Sequence, residues 1–341
     1  MNRVLVTGAG GFIGYHLVSY LKSCGYWVRG ADLKHPEYDG SSADEFILAD
    51  LRWVDSCDAV TREVDEVYAL AADMGGMGYI SSHHSAILRN NALINLHTIE
   101  AARQNGVARY LYTSSACVYP EYRQTSSAAV PLREEDAYPA QPQDAYGWEK
   151  LISERLCTHY REDYGLATRI VRFHNIFGPQ GTWEGGREKA PAALCRKIAV
   201  AKFKGQNEIE LWGDGQQTRS FCYIDDCVEG LHRLMRSDYQ EPLNLGQDRL
   251  ISIDDLADMI AAIAGVSLRK RHIPGPQGVR GRNSDNTRLR AILNWEPRIS
   301  LEEGLRRTYA WIEGQVRRSY FATDERNGFT AGDPANSASA R

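Results

Sequence analysis

The sequence predicts an α/β protein built around a doubly wound parallel sheet, and three observations support this prediction. Short apolar runs typical of buried strands alternate with amphipathic helical segments throughout the first half of the chain. The first apolar run breaks into a glycine-rich turn, Gly8-x-x-Gly11-x-x-Gly14, which leads directly into a helical segment. The chain of 341 residues is also long enough to form two lobes, each with its own apolar core.

The strand and helix segments follow one another in a regular order. Strands are predicted at "RVLVTGAG", "WVRGAD", "EFILADL", "DEVYALAA", "RYLYTSS" and "TRIVRFHN", which begin at residues 3, 27, 45, 65, 109 and 168. Amphipathic helices are predicted over residues 12–25, 89–106 and 146–165, and each of them closes at a glycine. Because parallel strands need crossover connections of this kind, the order favours a parallel sheet.

The pattern becomes less regular after about residue 176, where glycine, proline and charged residues accumulate. We therefore predict a nucleotide-binding Rossmann domain over residues 1–176, with a returning segment at about 218–240. A smaller α/β substrate-binding lobe is predicted over residues 177–217 and 241–318. The small and polar residues of 322–341 are expected to be disordered.

Composition and charge exclude several classes of protein. An apolar content of 43% and a charged content of 25% are typical of a soluble globular protein, and a net charge of −4 gives no reason to expect nucleic acid. No apolar run approaches the length of a membrane helix, and the N-terminus enters a strand without the layout of a signal peptide. The seven cysteines are scattered, so we expect free thiols, no metal site and a cytoplasmic location.

The glycine turn and a nearby acidic residue together predict an NAD site. Gly8 permits a tight turn, Gly11 allows the backbone to approach a pyrophosphate at the helix N-terminus, and Gly14 allows close packing of helix on strand. Asp32 ends the next strand, where a carboxylate binds a ribose 2′-hydroxyl and repels a 2′-phosphate, which favours NAD over NADP. Further residues expected at the cofactor are Phe12, Ile13, Asp50 and Leu51, with a solvated strand-end carboxylate as the alternative for Asp50.

A tyrosine, a lysine and a serine predict hydride chemistry. Tyr146 and Lys150 lie one helical turn apart, so both side chains share a face of their helix. A tyrosine that acts as a base must lose its proton near neutral pH, and a nearby ammonium and a positive nicotinamide both favour the phenolate. Ser115, at the end of "RYLYTSS", can bind the same substrate oxygen. The structural alternative is a surface contact between tyrosine and lysine.

These residues together resemble the extended short-chain dehydrogenase/reductase family, whose members act on nucleotide sugars. The resemblance covers residues 1 to about 315, and the segment "WGDGQQTRSFCYIDD" at 212–226 is similar to the one that holds the nucleotide in the family. Further segments resemble the branch that epimerises GDP-mannose, namely "AADMGGMGYI", "SSACVYPE", "RFHNIFGP", "GGREKAPAALCRK" and "GVRGRNSDN". The resemblance implies an NAD-dependent epimerase that acts on GDP-mannose or a related nucleotide sugar.

The same resemblance implies a role for Cys117, two residues beyond Ser115. In this family NAD removes a hydride from C4 of the sugar, the ketone acidifies C3 and C5, and inversion then needs two proton-transfer groups on opposite faces. Strand alternation predicts that Cys117 and Ser115 point the same way, and a thiol has a usual pKa of about 8.5, within reach of neutrality. The resemblance places Lys189 on the opposite face, with His174 as an alternative acid. Packing is the alternative for the cysteine.

The resemblance also implies the substrate contacts and the assembly. Lys197, Arg219 and one or both of Arg280 and Arg282 are expected to bind the diphosphate, since two negative charges require fixed cations. Other residues expected to line the substrate site are Gly75, Ser115, Ala116, Cys117, Asn175, Glu188, Lys189, Ala190 and Gln217. The helices over 88–105 and 146–164 are similar to those that pair in family dimers, which implies a homodimer.

Two other functions stay open from the sequence. One is a 4-epimerase, or an epimerase that inverts C5 alone, acting on another nucleotide sugar; a 4-epimerase has no use for Cys117 and Lys189. The other is a non-catalytic NAD-binding sensor or interaction protein, which would not need Tyr146, Lys150 and Ser115 together.

Overall fold

Fourteen strands and ten α-helices make up residues 2–326, which are the part of the chain described by this computed structural model. The strands are β1 (Arg3–Thr7), β2 (Trp27–Asp32), β3 (Glu45–Leu48), β4 (Glu66–Ala69), β5 (Arg109–Ser115), β6 (Ala167–Phe173), β7 (Ile176–Phe177), β8 (Glu208–Trp212), β9 (Thr218–Ser220), β10 (Cys222–Tyr223), β11 (Pro242–Leu245), β12 (Leu250–Ser252), β13 (Arg269–Ile273) and β14 (Gly281–Arg282). The helices are α1 (Phe12–Ser23), α2 (Val54–Thr61), α3 (Met77–Ile80), α4 (His84–Gln104), α5 (Ala145–Tyr164), α6 (Ala190–Lys204), α7 (Ile224–Arg236), α8 (Ile253–Ala264), α9 (Thr287–Leu293) and α10 (Leu301–Arg326).

Seven of the strands form one parallel sheet in the order β11-β6-β5-β4-β1-β2-β3. Six of these strands lie where the sequence predicts them, and the crossover helices α1, α4 and α5 lie between them as expected. The predicted doubly wound α/β fold is therefore confirmed.

The two faces of the sheet follow from the alternation of side chains along each strand. Val4 and Val6 of β1 pack with Leu17 of α1 on one face, and Leu5 packs with Ile99 of α4 on the other. Both faces are thus covered by helices, which is why β1 is apolar at successive positions rather than at alternate ones.

Smaller sheets and the helices α6, α8 and α10 make up the rest of the structure. β12-β9-β14 form a mixed three-stranded sheet, while β8 pairs with β13 and β7 with β10. The chain returns to the large sheet through α7 and β11, so the returning segment extends to Leu245 rather than ending near residue 240. The division into two lobes otherwise remains a prediction.

Helix α10 extends to Arg326, five residues into the segment 322–341 predicted to be disordered. Residues 327–341 of that segment lie outside the described residues.

A buried ion pair connects α5 to β6 beneath the end of β5. The guanidinium of Arg172 donates from Nη2 to Glu154 Oε2 at 2.7 Å and from Nε to Oε1 at 2.8 Å, and both side chains are fully buried. Ser114 of β5 donates its hydroxyl to the same carboxylate at 2.5 Å. Arg172 also donates to the Tyr119 hydroxyl, at 3.2 Å, and to the Glu134 carbonyl, at 2.7 Å. Two strands, a helix and two loop segments therefore depend on one pair of charges.

Removing one partner of this pair should destabilise the protein strongly. Arg172→Met leaves the Glu154 charge buried without a cation, so we expect a loss of about 3–5 kcal/mol in the free energy of unfolding. Arg233→Met is the matched control, because Arg233 pairs with Glu229 at 2.8 Å on the surface and such pairs contribute about 0–1 kcal/mol. Urea unfolding followed by circular dichroism measures both. Equal and small losses would contradict the assignment.

Candidate active site

The turn between β1 and α1 has the geometry that a dinucleotide pyrophosphate requires. Gly8 has a φ of +72°, and a Cβ on Gly14 would lie 2.0 Å from the carbonyl oxygen of Gly8. Gly11 is the N-cap of α1 and no side chain caps this helix, so the amides at Phe12 and Ile13 remain available to an anion. These residues fit the phosphates of NAD.

Asp32 supports this turn from the end of β2. Its Oδ2 accepts from the Gly10 amide at 3.0 Å and its Oδ1 from the Lys34 amide at 3.3 Å. Each oxygen can accept a further hydrogen bond, so either could bind a ribose hydroxyl. Asp50 is instead paired with Arg52 at 2.6 Å, and Leu51 is buried in the core behind it. The predicted contact of Asp50 with the cofactor remains a prediction, and the ion pair with Arg52 competes with it.

Tyr146, Lys150 and Ser115 meet between α5 and the end of β5. The Lys150 ammonium is buried, donates to the Thr113 carbonyl at 3.0 Å and lies 5.6 Å from the centroid of the Tyr146 ring. Desolvation raises the pKa of Tyr146 well above its usual value, and the hydrogen bond from Ser115 opposes this shift. Desolvation also lowers the pKa of Lys150, while the neighbouring Glu149 raises it. The tyrosine hydroxyl is therefore protonated unless a further positive charge comes close.

Cys117 reaches this pair by a different path from the predicted one. The argument from strand alternation is wrong, because β5 ends at Ser115 and residues Ala116–Val118 form a 3₁₀ helix. The Ser115 hydroxyl caps that turn by accepting from the Cys117 amide at 3.1 Å. The cysteine nevertheless packs against Tyr146 and remains partly exposed, so the local turn supplies the proximity.

Gly147 allows α5 to approach the Cys117 turn. A Cβ at this position would lie 2.2 Å from the Cys117 carbonyl oxygen, which is fixed backbone. Asp144 caps α5 by accepting from the Gly147 amide at 2.8 Å, so the helix begins at the point of contact. The sequence analysis did not identify Gly147, although a glycine in the first turn of a helix is itself a signal of close backbone contact.

Two arginines lie beside Cys117 without an acidic partner. Arg282 donates to Cys117 Sγ at 3.4 Å and to Gln124 Oε1 at 2.5 Å, and it stands opposite Arg219 in the parallel pair of β14 with β9. Arg219 donates only to backbone carbonyls, including that of Val279 at 2.7 Å. Within residues 2–326 no carboxylate lies within 4 Å of either guanidinium. Desolvation and the charge of Arg282 lower the pKa of Arg219.

Such an arrangement fits a bound anion. Like charges placed opposite each other on neighbouring strands destabilise a sheet unless a counter-ion lies between them. A diphosphate supplies two negative charges and matches the fork of a guanidinium. Arg280 is different, because its partly exposed side chain pairs with Asp214 at 2.7 Å. The structure thus separates two arginines that the sequence could not distinguish.

Lys189 approaches the cysteine from the segment that precedes α6. It is the N-cap of α6. Its side chain is exposed to solvent, but neighbouring protein atoms partly desolvate the ammonium. This desolvation lowers the pKa of Lys189, with the charge of Arg282 adding to the effect and Cys117 opposing it. The Lys189 ammonium is therefore close enough to Cys117 and Arg282 to interact with both electrostatically.

The remaining predicted substrate residues are distributed around this cleft. Gln217 is buried, and its Oε1 atom has no hydrogen-bond partner, which fits a ligand that donates to it. Asn175 adopts a φ of +48° and donates to the Ser220 carbonyl, while Lys197 donates to the Glu210 carbonyl at 2.7 Å. The other members of the predicted set are Gly75 beside the Tyr79 side chain, the buried Ala116, Glu188 in an ion pair with Arg196, and Ala190 at the start of α6.

His174, the alternative acid, is fully buried at the end of β6. Its Nε2 atom pairs with Asn244 Oδ1 at 3.0 Å, and desolvation lowers the pKa of His174 to about 3. A neutral, enclosed imidazole has no path to a sugar, so it is a packing residue in this structure.

Among residues 2–326 no group of three or more histidine, cysteine or acidic side chains could hold a metal ion, and no helix is long and apolar enough to cross a membrane.

A sequence profile of the NAD dependent epimerase/dehydratase family matches residues 4–246. The chain belongs to this family. It is 52% identical over 318 residues to a GDP-mannose 3,5-epimerase of Arabidopsis thaliana, an alignment that covers 93% of this chain and 83% of the relative. The recognised resemblance to GDP-mannose epimerases is thereby confirmed.

Solved structures agree with the fold. A UDP-glucose 4-epimerase of Thermotoga maritima superposes with a TM-score of 0.82 at 24% identity, over 92% of this chain and 99% of that one. A UDP-glucuronic acid 4-epimerase of Bacillus cereus, solved with UDP-glucuronic acid and NAD, gives 0.78 at 27% identity over 92% and 99%. The family is NAD dependent, in agreement with the turn at Gly8–Gly14.

The contact at Gly147 can be tested by a single methyl group. Gly147→Ala should force α5 away from the Cys117 turn, at a cost of about 1–3 kcal/mol in stability for overpacking. Activity should fall by ~10² because the reacting groups are displaced by about 1 Å. Gly314→Ala is the control, since nothing lies within 4 Å of a Cβ there. Turnover and thermal unfolding of both variants measure the effect, and equal behaviour would count against it.

Proposed function

We propose that this family member is a GDP-mannose 3,5-epimerase. It would invert GDP-mannose at C3 and C5 to give GDP-L-galactose, with GDP-L-gulose as the product of inversion at C5 alone. The observation that carries the proposal is the packing of Cys117 against the Tyr146 cluster, with Lys189 of the segment before α6 close enough to interact with the cysteine. The 52% identity to the plant enzyme supports the choice of substrate.

The first step concerns C4 of the hexose. NAD held by the Gly8–Gly14 turn and Asp32 would supply reversible hydride acceptance at C4, so the reaction would consume no cofactor. Tyr146 takes the hydroxyl proton and Ser115 holds the same oxygen. The ammonium of Lys150, 5.6 Å from the tyrosine ring, favours the phenolate, and the charge of the nicotinamide acts in the same direction.

Inversion then uses the two groups that a simple oxidation does not need. The C4 ketone acidifies the neighbouring C–H bonds, so a proton can leave from one face of the sugar and another can arrive at the opposite face. Cys117 acts from the wall formed by β5 and α5, and Lys189 from the wall formed by α6. Because desolvation lowers the pKa of Lys189, its neutral amine is more accessible near neutral pH than that of a solvated lysine.

The remaining contacts support a nucleotide diphosphate and a retained cofactor. Arg219 and Arg282 would bind the diphosphate, which supplies the counter-charge they lack. Over the cofactor turn, the Tyr38 ring packs edge-on against Trp311 with centroids 4.9 Å apart, and Gln180 donates to Asp39. These contacts join the loop after β2 to α10 and to the loop after β7, beside Gly10 and Gly11, so NAD would stay bound through the cycle.

A 4-epimerase is the second candidate, favoured by the likeness to solved 4-epimerases. It returns the hydride to the other face of C4 and exchanges no carbon-bound hydrogen with water. The cationic and thiol groups beside Tyr146 have no task in that reaction, which supports the first proposal.

All seven cysteines are free thiols, which supports a cytoplasmic location.

The reaction in heavy water tests the function directly. Incubation of the NAD-loaded protein with GDP-mannose in D₂O should give products inverted at C3 and C5 with deuterium at the inverted carbons, as read by NMR. Free NADH should not accumulate in proportion to product. A product inverted at C4 without deuterium would identify a 4-epimerase instead, and no conversion would favour a binding protein.

Substitutions should separate hydride transfer from proton transfer. Loss of a general acid or base costs ~10²–10⁴ in rate, so Cys117→Ala and Lys189→Ala should lose epimerisation by that order. Both should still form enzyme-bound NADH, measured by absorbance, whereas Tyr146→Phe should not. Cys24→Ala, at an exposed cysteine elsewhere, is the control. If Cys117→Ala exchanges the C5 hydrogen with solvent at the wild-type rate, the cysteine is only a packing residue.

We further propose a homodimer formed through α4 and α5. These adjacent helices expose Leu88 and Leu96 on α4, and Trp148 and Ile152 on α5, with 60% of the Ile152 surface accessible. Residues four or eight apart lie on one side of a helix, so each helix presents an apolar stripe to solvent. A second copy of the same face would cover this surface in an isologous contact.

Ile152→Glu should disrupt the dimer. A carboxylate in the centre of an apolar contact carries a large desolvation cost, so we expect a monomer at micromolar concentration where the wild type is a dimer. Val130→Glu introduces the same charge at a more exposed residue of a loop and should leave the dimer intact. Sedimentation velocity distinguishes these outcomes, and a monomeric wild-type protein would exclude the dimer.

A further inference from the structure

Two segments from opposite sides of the cleft contact each other beside the candidate site. Residues 73–80 follow β4 of the large sheet, and residues 184–189 precede α6 of the other lobe. The Gly76 amide donates to the Arg187 carbonyl at 3.0 Å. A Cβ on Gly76 would lie 2.6 Å from the Glu188 carbonyl oxygen, so only a glycine allows the two backbones to approach this closely.

A layer of side chains reinforces this backbone contact. The guanidinium carbon of Arg187 lies 3.8 Å from the centroid of the Tyr79 ring, well within the range of a cation–π interaction. The Tyr79 hydroxyl donates to Asp73 Oδ1 at 2.8 Å, and Arg187 Nη1 lies 3.9 Å from the same oxygen. One carboxylate therefore holds both the ring and the cation that rests on it.

Asp73 is itself fixed to the core of the large domain. Asn90 of α4 donates to Asp73 Oδ2 at 2.9 Å. The buried Asn91 accepts from the Asp73 amide at 2.6 Å and donates to the Asp73 carbonyl at 3.1 Å. The aspartate thus uses its backbone and one carboxylate oxygen to attach residues 73–80 to a long helix, while the other oxygen holds Tyr79, which makes this side of the contact the rigid one.

The other side of the contact leads to Lys189 within two residues. Glu188 is held by Arg196 at 2.8 Å and accepts from the Gly186 amide at 2.7 Å. Lys189 caps α6, and its carbonyl accepts from the Ala193 amide at 2.9 Å. Because only a short, hydrogen-bonded segment separates the two residues, a shift of Arg187 also moves Lys189.

We propose that Asp73, Tyr79 and Arg187 form a clasp that positions Lys189 across the cleft from Cys117. This inference deepens the proposed function and rests on the role given there to Lys189. The three are positioning residues. Tyr146, Ser115 and Lys150 belong to the large domain, so the hydride step does not depend on the clasp, whereas delivery of a proton from the opposite face does. A displacement of about 1 Å in a reacting group typically costs ~10² in rate.

The clasp can be tested without any sugar. In the NAD-loaded protein, Arg187→Met should accelerate hydrogen exchange of the Gly76 and Ala193 amides by about tenfold, because these amides report the contact and the position of Lys189. Arg233→Met is the matched control, since Arg233 also lies over an aromatic ring, that of Trp295 at 5.7 Å, and pairs with a carboxylate. Unchanged exchange at Ala193 in Arg187→Met would overturn the proposal, whatever the substrate of the enzyme.

A second measurement uses the reaction with GDP-mannose in D₂O. In Arg187→Met, bound NADH and solvent exchange at C5 should stay within about twofold of the wild type, while formation of inverted product falls by ~10². Arg187→Lys and Tyr79→Phe keep the cation and the ring respectively, and should recover part of the loss. A proportional fall in all three readings, or no fall in inversion, would overturn the clasp. If the wild type shows no reaction, the proposed function is refuted. The hydrogen exchange of the Gly76 and Ala193 amides then tests the clasp independently.

Discussion

The buried pair of Arg172 and Glu154 is the constraint on which the candidate site depends. Ser114 donates to the carboxylate and Tyr119 accepts from the guanidinium, and the segment between these two residues carries Ser115 and Cys117. One ion pair thus holds both ends of the short turn that presents the thiol. Burying two charges is costly, and only bidentate geometry with further hydrogen bonds offsets that cost, so this segment has little freedom to move.

The same pair fixes the helix that supplies the hydride machinery. Glu154 lies on α5, one helical turn after Lys150 and two after Tyr146, so the turn and the helix are held in one register. The glycine at 147 then allows the helix to touch the turn. Against this rigid wall, the groups of the opposite wall, above all Lys189, depend on contacts between loops. The proposed clasp at Arg187 is such a contact, and it would fix the loop segment that carries a group in need of precise placement.

Electrostatics and family membership lead to the same view of the site. Desolvation raises the pKa of Tyr146 and lowers those of Lys189 and Arg219, so burial disfavours the charged form of each group. A cationic cofactor ring and an anionic diphosphate would each compensate one of these costs. The fold itself is shared with a UDP-glucose 4-epimerase at a TM-score of 0.82, so the fold alone does not determine which carbon of a sugar is inverted.

The sequence by itself determined the large sheet, the cofactor turn and the Tyr146–Lys150 pair. These features are local: apolar runs, glycine spacing and one helical turn each have a period that can be recognised within twenty residues. Tertiary structure alone decided the turn at Cys117, where a serine cap ends the strand before its alternation could apply. It also decided that Arg282 rather than Arg280 lies at the thiol, and that Arg187 rests on Tyr79. The last two contacts join segments roughly 100 or more residues apart. Such contacts leave no periodic signal in the chain, because their geometry is set by the packing of segments that are distant in the sequence.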